Sequence, residues 1–178
     1  LSAEEWVSKQ AKNPFPIVRF DMSSLGSYSN GEELNESIIR RLEDIVEDNE
    51  FQLRTERTSS EMLHQIIRAL YKKDGQVVIL IDEYDKPILD NLTDLKRANE
   101  MREVLRSFYL TLKSCDKYLR FIMLTGISKF SKVGVFSALN NLEDISMDKR
   151  YGDIAGYTQQ ELELFFNDWL IATASDLK

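Results

Sequence analysis

The 178-residue chain is 43% hydrophobic and 30% charged, with seven Gly and three Pro. That balance excludes a collagenous, low-complexity or disordered chain and suffices for one packed domain, expected over residues 1–178. The formal charge of −7 disfavours nucleic acid as a partner, because a duplex-binding face needs surplus cations to displace counterions.

The single cysteine, Cys115, excludes a disulfide framework and cysteine-based zinc. The longest strongly apolar run, residues 77–81, is far short of the roughly 20 residues that cross a bilayer. The opening LSAEEWVSKQ is charged and has no apolar core of a signal peptide, so no membrane partner and a cytoplasmic location are expected. The first residue is Leu, not Met, which makes a fragment the expectation.

In chain order, three short apolar stretches read as strands: residues 16–21 (PIVRFD), 76–82 (QVVILID) and 118–125 (YLRFIMLT). The second and third are nearly continuous in apolar character, which suits strands of a parallel sheet covered on both faces. Between them lie amphipathic helices. Residues 31–46 put Leu34, Ile38, Leu42 and Ile45 on one stripe, with Ser29 and Glu32 as a capping box. Thr58 and Glu61 cap a second helix, which ends at Lys72-Lys73 before Asp74-Gly75. A third spans residues 98–113, and Thr158 with Glu161 opens a last one rich in Leu162, Phe165, Phe166 and Trp169. Strands alternating with helices predict βαβ units in an α/β, three-layer sandwich with a mainly parallel sheet.

In open α/β sheets, chemistry collects beyond the carboxyl ends of the strands. Here those ends are Asp21, Asp82-Glu83 and Thr125-Gly126. The apolar run delivering Asp82 and Glu83 has the form of a Walker B motif, in which the first acid holds Mg²⁺ and a following Glu takes the proton of an attacking water. The competing interpretation is polar punctuation where a strand meets solvent. It accounts for one acid better than for two. If the second and third strands are neighbours, Thr125 sits beside Asp82, and Thr125, Ser128 or Lys129 could sense a terminal phosphate. The bland alternative for these three is a hydroxyl ending a strand and a wet loop.

Asp85 is expected to cap the turn begun by Pro87, and Lys86 to pair with a neighbouring carboxylate. Residues 126–133 (GISKFSKV) approach GxxxxGK[ST] but carry Ser131 for the second Gly and Val133 for the cation-binding hydroxyl, so they are not a phosphate loop. Basic clusters at Arg54/Arg57 and Lys129/Lys132 read as solvated surface or ligand contacts. His64 reads as a surface or packing residue. Cys115 has no nearby His to make it a nucleophile.

Taken together, LIDEYDKP (residues 80–87), LTGISKFSK (124–132) and FSALNNLEDIS (136–146) resemble the bacterial AAA-ATPase-like family. The resemblance implies a P-loop NTPase core that uses ATP and Mg²⁺, with Asp82 and Glu83 as Walker B and Thr125 to Lys129 as the sensor region. It places the family's RRFGKS-like phosphate loop upstream of PIVRFD, so this chain is expected to lack that loop and the first strand, and to be inactive alone. It also implies a PD-(D/E)XK nuclease-like domain further along the parent chain, and Arg150 as the candidate arginine finger. Strand edges left by truncation leave an oligomer open. Two alternatives stand beside the ATPase reading. One is a non-catalytic regulatory or interaction module derived from an ATPase. The other is a metal-dependent nuclease, disfavoured because Lys86, Lys129 and Lys132 have no acid two residues before them, and the Asp94/Lys96 pair that has the spacing sits in a polar loop.

Overall fold

A computed structural model describes residues 15–54, 58–128, 142–154 and 156–176. The chain divides into two compact units, residues 1–140 and 141–178.

The first unit is built on a parallel sheet of β1 (Ile17–Asp21), β2 (Val77–Asp82) and β3 (Leu119–Leu124), in the order β1-β2-β3. Ile17 aligns with Val78 and Asp21 with Asp82, while Ile81 aligns with Leu124, so all three strands end at one rim. A register shift at Val77/Val78 accommodates the entry of β3.

The crossovers are helices with legible punctuation. Helix α1 (Gly31–Asp48) is capped by Asn30, whose side chain accepts from the Glu33 amide. The Glu33 carboxylate in turn accepts from the Ser29 amide at 2.7 Å. The cap is therefore Asn30, one residue later than Ser29, and Glu33 reaches back to the Ser29 amide rather than to the amide of the cap residue itself. Helix α2 (Ser59–Asp74) starts at Thr58, whose hydroxyl accepts from the Glu61 amide, and stops at Gly75 with φ +91°. Pro87 seeds the single turn α3 (Lys86–Leu89). Helix α4 (Leu95–Ser114) begins earlier than its apolar stripe because the Asp94 carboxylate accepts from the Lys96 and Arg97 amides.

Burial alternates along β1 and β2, whereas in β3 only Leu119 is buried. Val18, Phe20, Val77, Ile79 and Ile81 are buried, and the same core holds Leu34, Ile38, Leu42, Leu63, Ile66, Ile67, Met101, Leu105 and Phe108. The Phe20 and Phe108 rings meet at 5.6 Å between centroids, joining sheet to helix. On the other face Ile17 is 61% and Phe121 54% exposed. Among the described residues of this unit the sheet is thus covered on one face, where apolar character on both had suggested three layers. The strands are apolar at successive positions, but in β1 and β2 fully buried side chains alternate with more exposed ones.

In the second unit the Thr158 capping box opens α5 (Gln159–Phe165), and a break at Phe166 separates it from α6 (Asn167–Asp176). The Tyr157 and Phe166 rings touch edge-on at 5.1 Å. Phe165 and Trp169 are exposed. The Arg150 guanidinium is bonded by Nε and Nη2 to the Asp148 carboxylate. No helix among the described residues is long and apolar enough to cross a membrane.

Candidate functional site at the carboxyl rim of the sheet

Strand β2 runs down the middle of the sheet and releases two acids at its tip. Its apolar residues anchor the strand in the core, so the first polar position, Asp82, emerges at the rim exposed to solvent. Asp82 Oδ1 accepts from the Glu83 amide at 3.0 Å and from the Thr125 hydroxyl. Its second oxygen has no partner among the described residues. The ladder continues past the strands: Thr125 donates its amide to Ile81 O at 2.9 Å, and Tyr84 donates its amide to Thr125 O at 3.0 Å. To keep both bonds, the chain passes through the left-handed region at Glu83, with φ 49°. For a residue carrying a Cβ this conformation costs about 1–2 kcal/mol and persists only where its surroundings over-determine it. The Glu83 carboxylate is exposed, with no hydrogen bond or ion pair among the described residues.

The next residues form a clasp between the loops after β2 and β3. The Asp85 side chain is 1% exposed, and its Oδ2 accepts from both the amide and the hydroxyl of Ser128, the amide at 2.6 Å. The Tyr84 hydroxyl donates to Ser128 O. From below, the fully buried Tyr109 donates its hydroxyl to Tyr84 O at 2.9 Å. Burial, with the Asp85 charge next, pushes the Tyr109 phenol well above its ordinary value, which keeps it a donor. Gly126 lies against this assembly: a Cβ there would stand 2.6 Å from Asp85 Oδ1 and 2.7 Å from two Tyr84 ring carbons. Asp85 occupies the N-cap position of α3 but makes no capping bond, so its expected role as a turn cap gives way to the tie with Ser128. Lys86 pairs with Asp90 at 3.2 Å, as its position suggested.

At the tip of β1, Asp21 lies in register with Asp82. Its Oδ1 accepts from the Ser23 amide at 2.8 Å and hydroxyl at 2.7 Å, bonds that hold the Asp21 carboxyl below its ordinary range.

Of the residues singled out from sequence, Asp82, Glu83 and Thr125 come together at the rim, and Ser128 is bound to Asp85 nearby. Lys129, Lys132, Arg57 and the near-miss loop from residue 129 lie outside the described residues. Cys115 is buried, and burial raises its thiol against the weaker opposing pull of Ser114 and Arg68. Sequence reasoning did not find the Tyr84, Tyr109 and Gly126 contributions. The one available signal was a glycine directly after a strand, a position where backbone or side chains can approach closely.

The donor set suits one cation more than others. A carboxylate and hydroxyls are hard oxygen ligands, and Mg²⁺ is bound through one or two carboxylates together with water and substrate phosphates. No group of three or more His, Cys, Asp or Glu side chains among the described residues could hold a metal by itself. Asp82 therefore fits as one ligand of a cation that a phosphate also holds. Two grooves, of about 650 and 770 Å³, are lined by other residues, around Glu100 and around His64 and Arg68.

The AAA-ATPase-like family model, described as predicted AAA-ATPase, matches residues 2–136. The chain is 49% identical over 113 residues to an Azotobacter chroococcum mcd 1 protein titled "Uncharacterized protein in vnfD 5'region". That alignment spans 63% of this chain but 22% of the relative. No solved structure matches.

Proposed function

The chain belongs to the AAA-ATPase-like family, and from that premise we propose that it is the Walker B and sensor portion of an ATPase coupling Mg-ATP hydrolysis to a conformational switch. The observation that carries the reading is the pairing of two exposed acids at the end of the central strand with a hydroxyl from the next strand bonded to the first of them.

Mg²⁺ bound with ATP supplies neutralisation of charge on the phosphates. The chain's own residues divide the remaining work. Asp82 contributes the carboxylate oxygen left open by Thr125 and Glu83 to the cation. Glu83, exposed and without a carboxylate partner among the described residues, orients a water and takes its proton. Thr125, bonded to Asp82, or Ser128 with Lys129 senses the terminal phosphate. The phosphate-binding loop and first strand belong to the full-length protein in this reading, as does a nuclease-like partner domain, and residues 1–178 form a single ATPase-like domain without turnover of their own.

The test is Glu83→Gln in the full-length protein. ATP binding should persist while turnover slows about 100-fold or more, a loss of roughly 3 kcal/mol in transition-state stabilisation. Turnover equal to wild type removes Glu83 from the mechanism. A wild-type protein that binds ATP without hydrolysing it favours the non-catalytic regulatory module instead.

A further inference from the structure

Asp85 stands two residues beyond the acid pair, buried, with both Ser128 donors on one of its oxygens. A carboxylate is costly to bury unless donors compensate it. The neighbouring acids Asp82 and Asp90, by contrast, are exposed. Among the described residues, the hydrogen bonds to its side chain come from a single residue 43 positions along the chain. This is a tie between two loops, and it does not cap the helical turn that Asp85 begins.

Its bonds form a series. Thr125 and Asp82 are joined at the start of the loops, the Tyr84 amide and Thr125 O next, and the Tyr84 hydroxyl and Ser128 O beyond them. The Ser128 amide and hydroxyl on Asp85 close the far end. Residues 82–85 and 125–128 are therefore laced along their whole length, with Gly126 leaving no space for a side chain between them. Cutting the last tie frees the far end of the segment that carries Thr125.

We propose that Asp85 is the positioning residue of the loop after β3, holding Ser128 so that Thr125 stays on Asp82 and the two loops shift as one body. This rests on the reading of the rim as an ATPase site. Asp85 touches neither nucleotide nor cation in it. Within the sensor segment, Ser128 fixes the loop through its bonds to Asp85, so that Thr125 and the Asp82 tip keep their relation.

The experiment uses the full-length protein as wild type, Asp85→Asn, Ser128→Ala and Ser128→Thr. Hydrogen exchange of peptides covering residues 125–128 is read without nucleotide, and Mg-ATP turnover is read separately. Asp85→Asn and Ser128→Ala should each speed exchange of that segment about tenfold or more while peptides from α1 and α2 keep their protection. In an active protein the same two variants should lower kcat about tenfold with KM within roughly twofold, and Ser128→Thr, which keeps the hydroxyl, should stay near wild type. Exchange unchanged in Asp85→Asn overturns the proposal. So does released exchange with kcat unchanged, which would make the tie a local staple without consequence for the site. If wild type lacks turnover, the ATPase reading fails by that result. The hold on the loop is then upheld or overturned by the exchange data alone.

Discussion

Replacing Gly126 with Ala sets two effects of opposite sign against each other. At a position whose backbone suits any residue, Gly→Ala stabilises by about 0.4–1 kcal/mol, because the unfolded chain loses freedom. No left-handed φ is imposed at Gly126, so that gain applies. Against it stands space. The new Cβ would lie 2.6 Å from Asp85 Oδ1 and 2.7 Å from Tyr84 Cδ1 and Cε1, where 3.4 Å begins ordinary contact. Neither neighbour can retreat cheaply, since Asp85 is held by two Ser128 donors and the Tyr84 hydroxyl by Ser128 O. Overpacking of this kind costs about 1–3 kcal/mol, which outweighs the entropic gain and leaves roughly 1–2 kcal/mol of net destabilisation. For a chain of this size that lowers Tm by roughly 2–8 °C. Thermal unfolding followed by circular dichroism reads it directly. Gly152→Ala is the matched control, because its Cβ would meet only Lys149 O, at 3.6 Å. Its Tm should equal or exceed wild type. A Gly126→Ala protein that melts at or above wild type refutes the clasp as a close-packed assembly.

Two further outcomes follow from the same rim. Tyr109→Phe keeps the ring in the core but removes the donor to Tyr84 O, and should cost about 1–2 kcal/mol in urea unfolding, with the slope of the transition unchanged. A neutral result would mean that Tyr84 O finds another donor. Asp21 has its carboxyl lowered by the Ser23 side chain first and the Ser23 amide second. Its contribution to stability is therefore present above the unfolded value of about 3.9 and disappears as pH falls from there through the lower folded value. A carboxyl-carbon NMR titration of Asp21 should place its midpoint below that of an unstructured Asp, and Ser23→Ala should move it back up. A midpoint unaltered by Ser23→Ala would assign the shift to other charges.

Much of the fold could be read from local signals because each was redundant. Strand β2 was marked by its apolar run and by the acids that end it. Helix α2 was marked by Thr58 at one end and Gly75 at the other. Where signals overlapped, the boundary slipped: Ser29/Glu32 and Asn30/Glu33 have the same spacing one residue apart, and only the packed helix chooses. That the described residues cover only one face of the sheet was not legible. A run such as VVILID offers apolar side chains to both faces. Which face is covered depends on where α1, α2 and α4 pack, a property of the whole chain.

The rim divides along the same line. That Thr125 stands beside Asp82 follows from two strand ends and the condition that β2 and β3 are neighbours, and the parallel pairing meets that condition. Asp85 was illegible for a physical reason. In sequence it is one more acid in DEYDKP, before a proline, where capping a turn satisfies a carboxylate with its own local amides. The chain instead supplies the Ser128 amide and hydroxyl from beyond another strand. A local cap would have anchored one turn and left the loop after β3 to itself. The distant partner makes the position of each loop depend on the other, so a polar bond that no local pattern announces fixes the geometry around the acids that the pattern did announce.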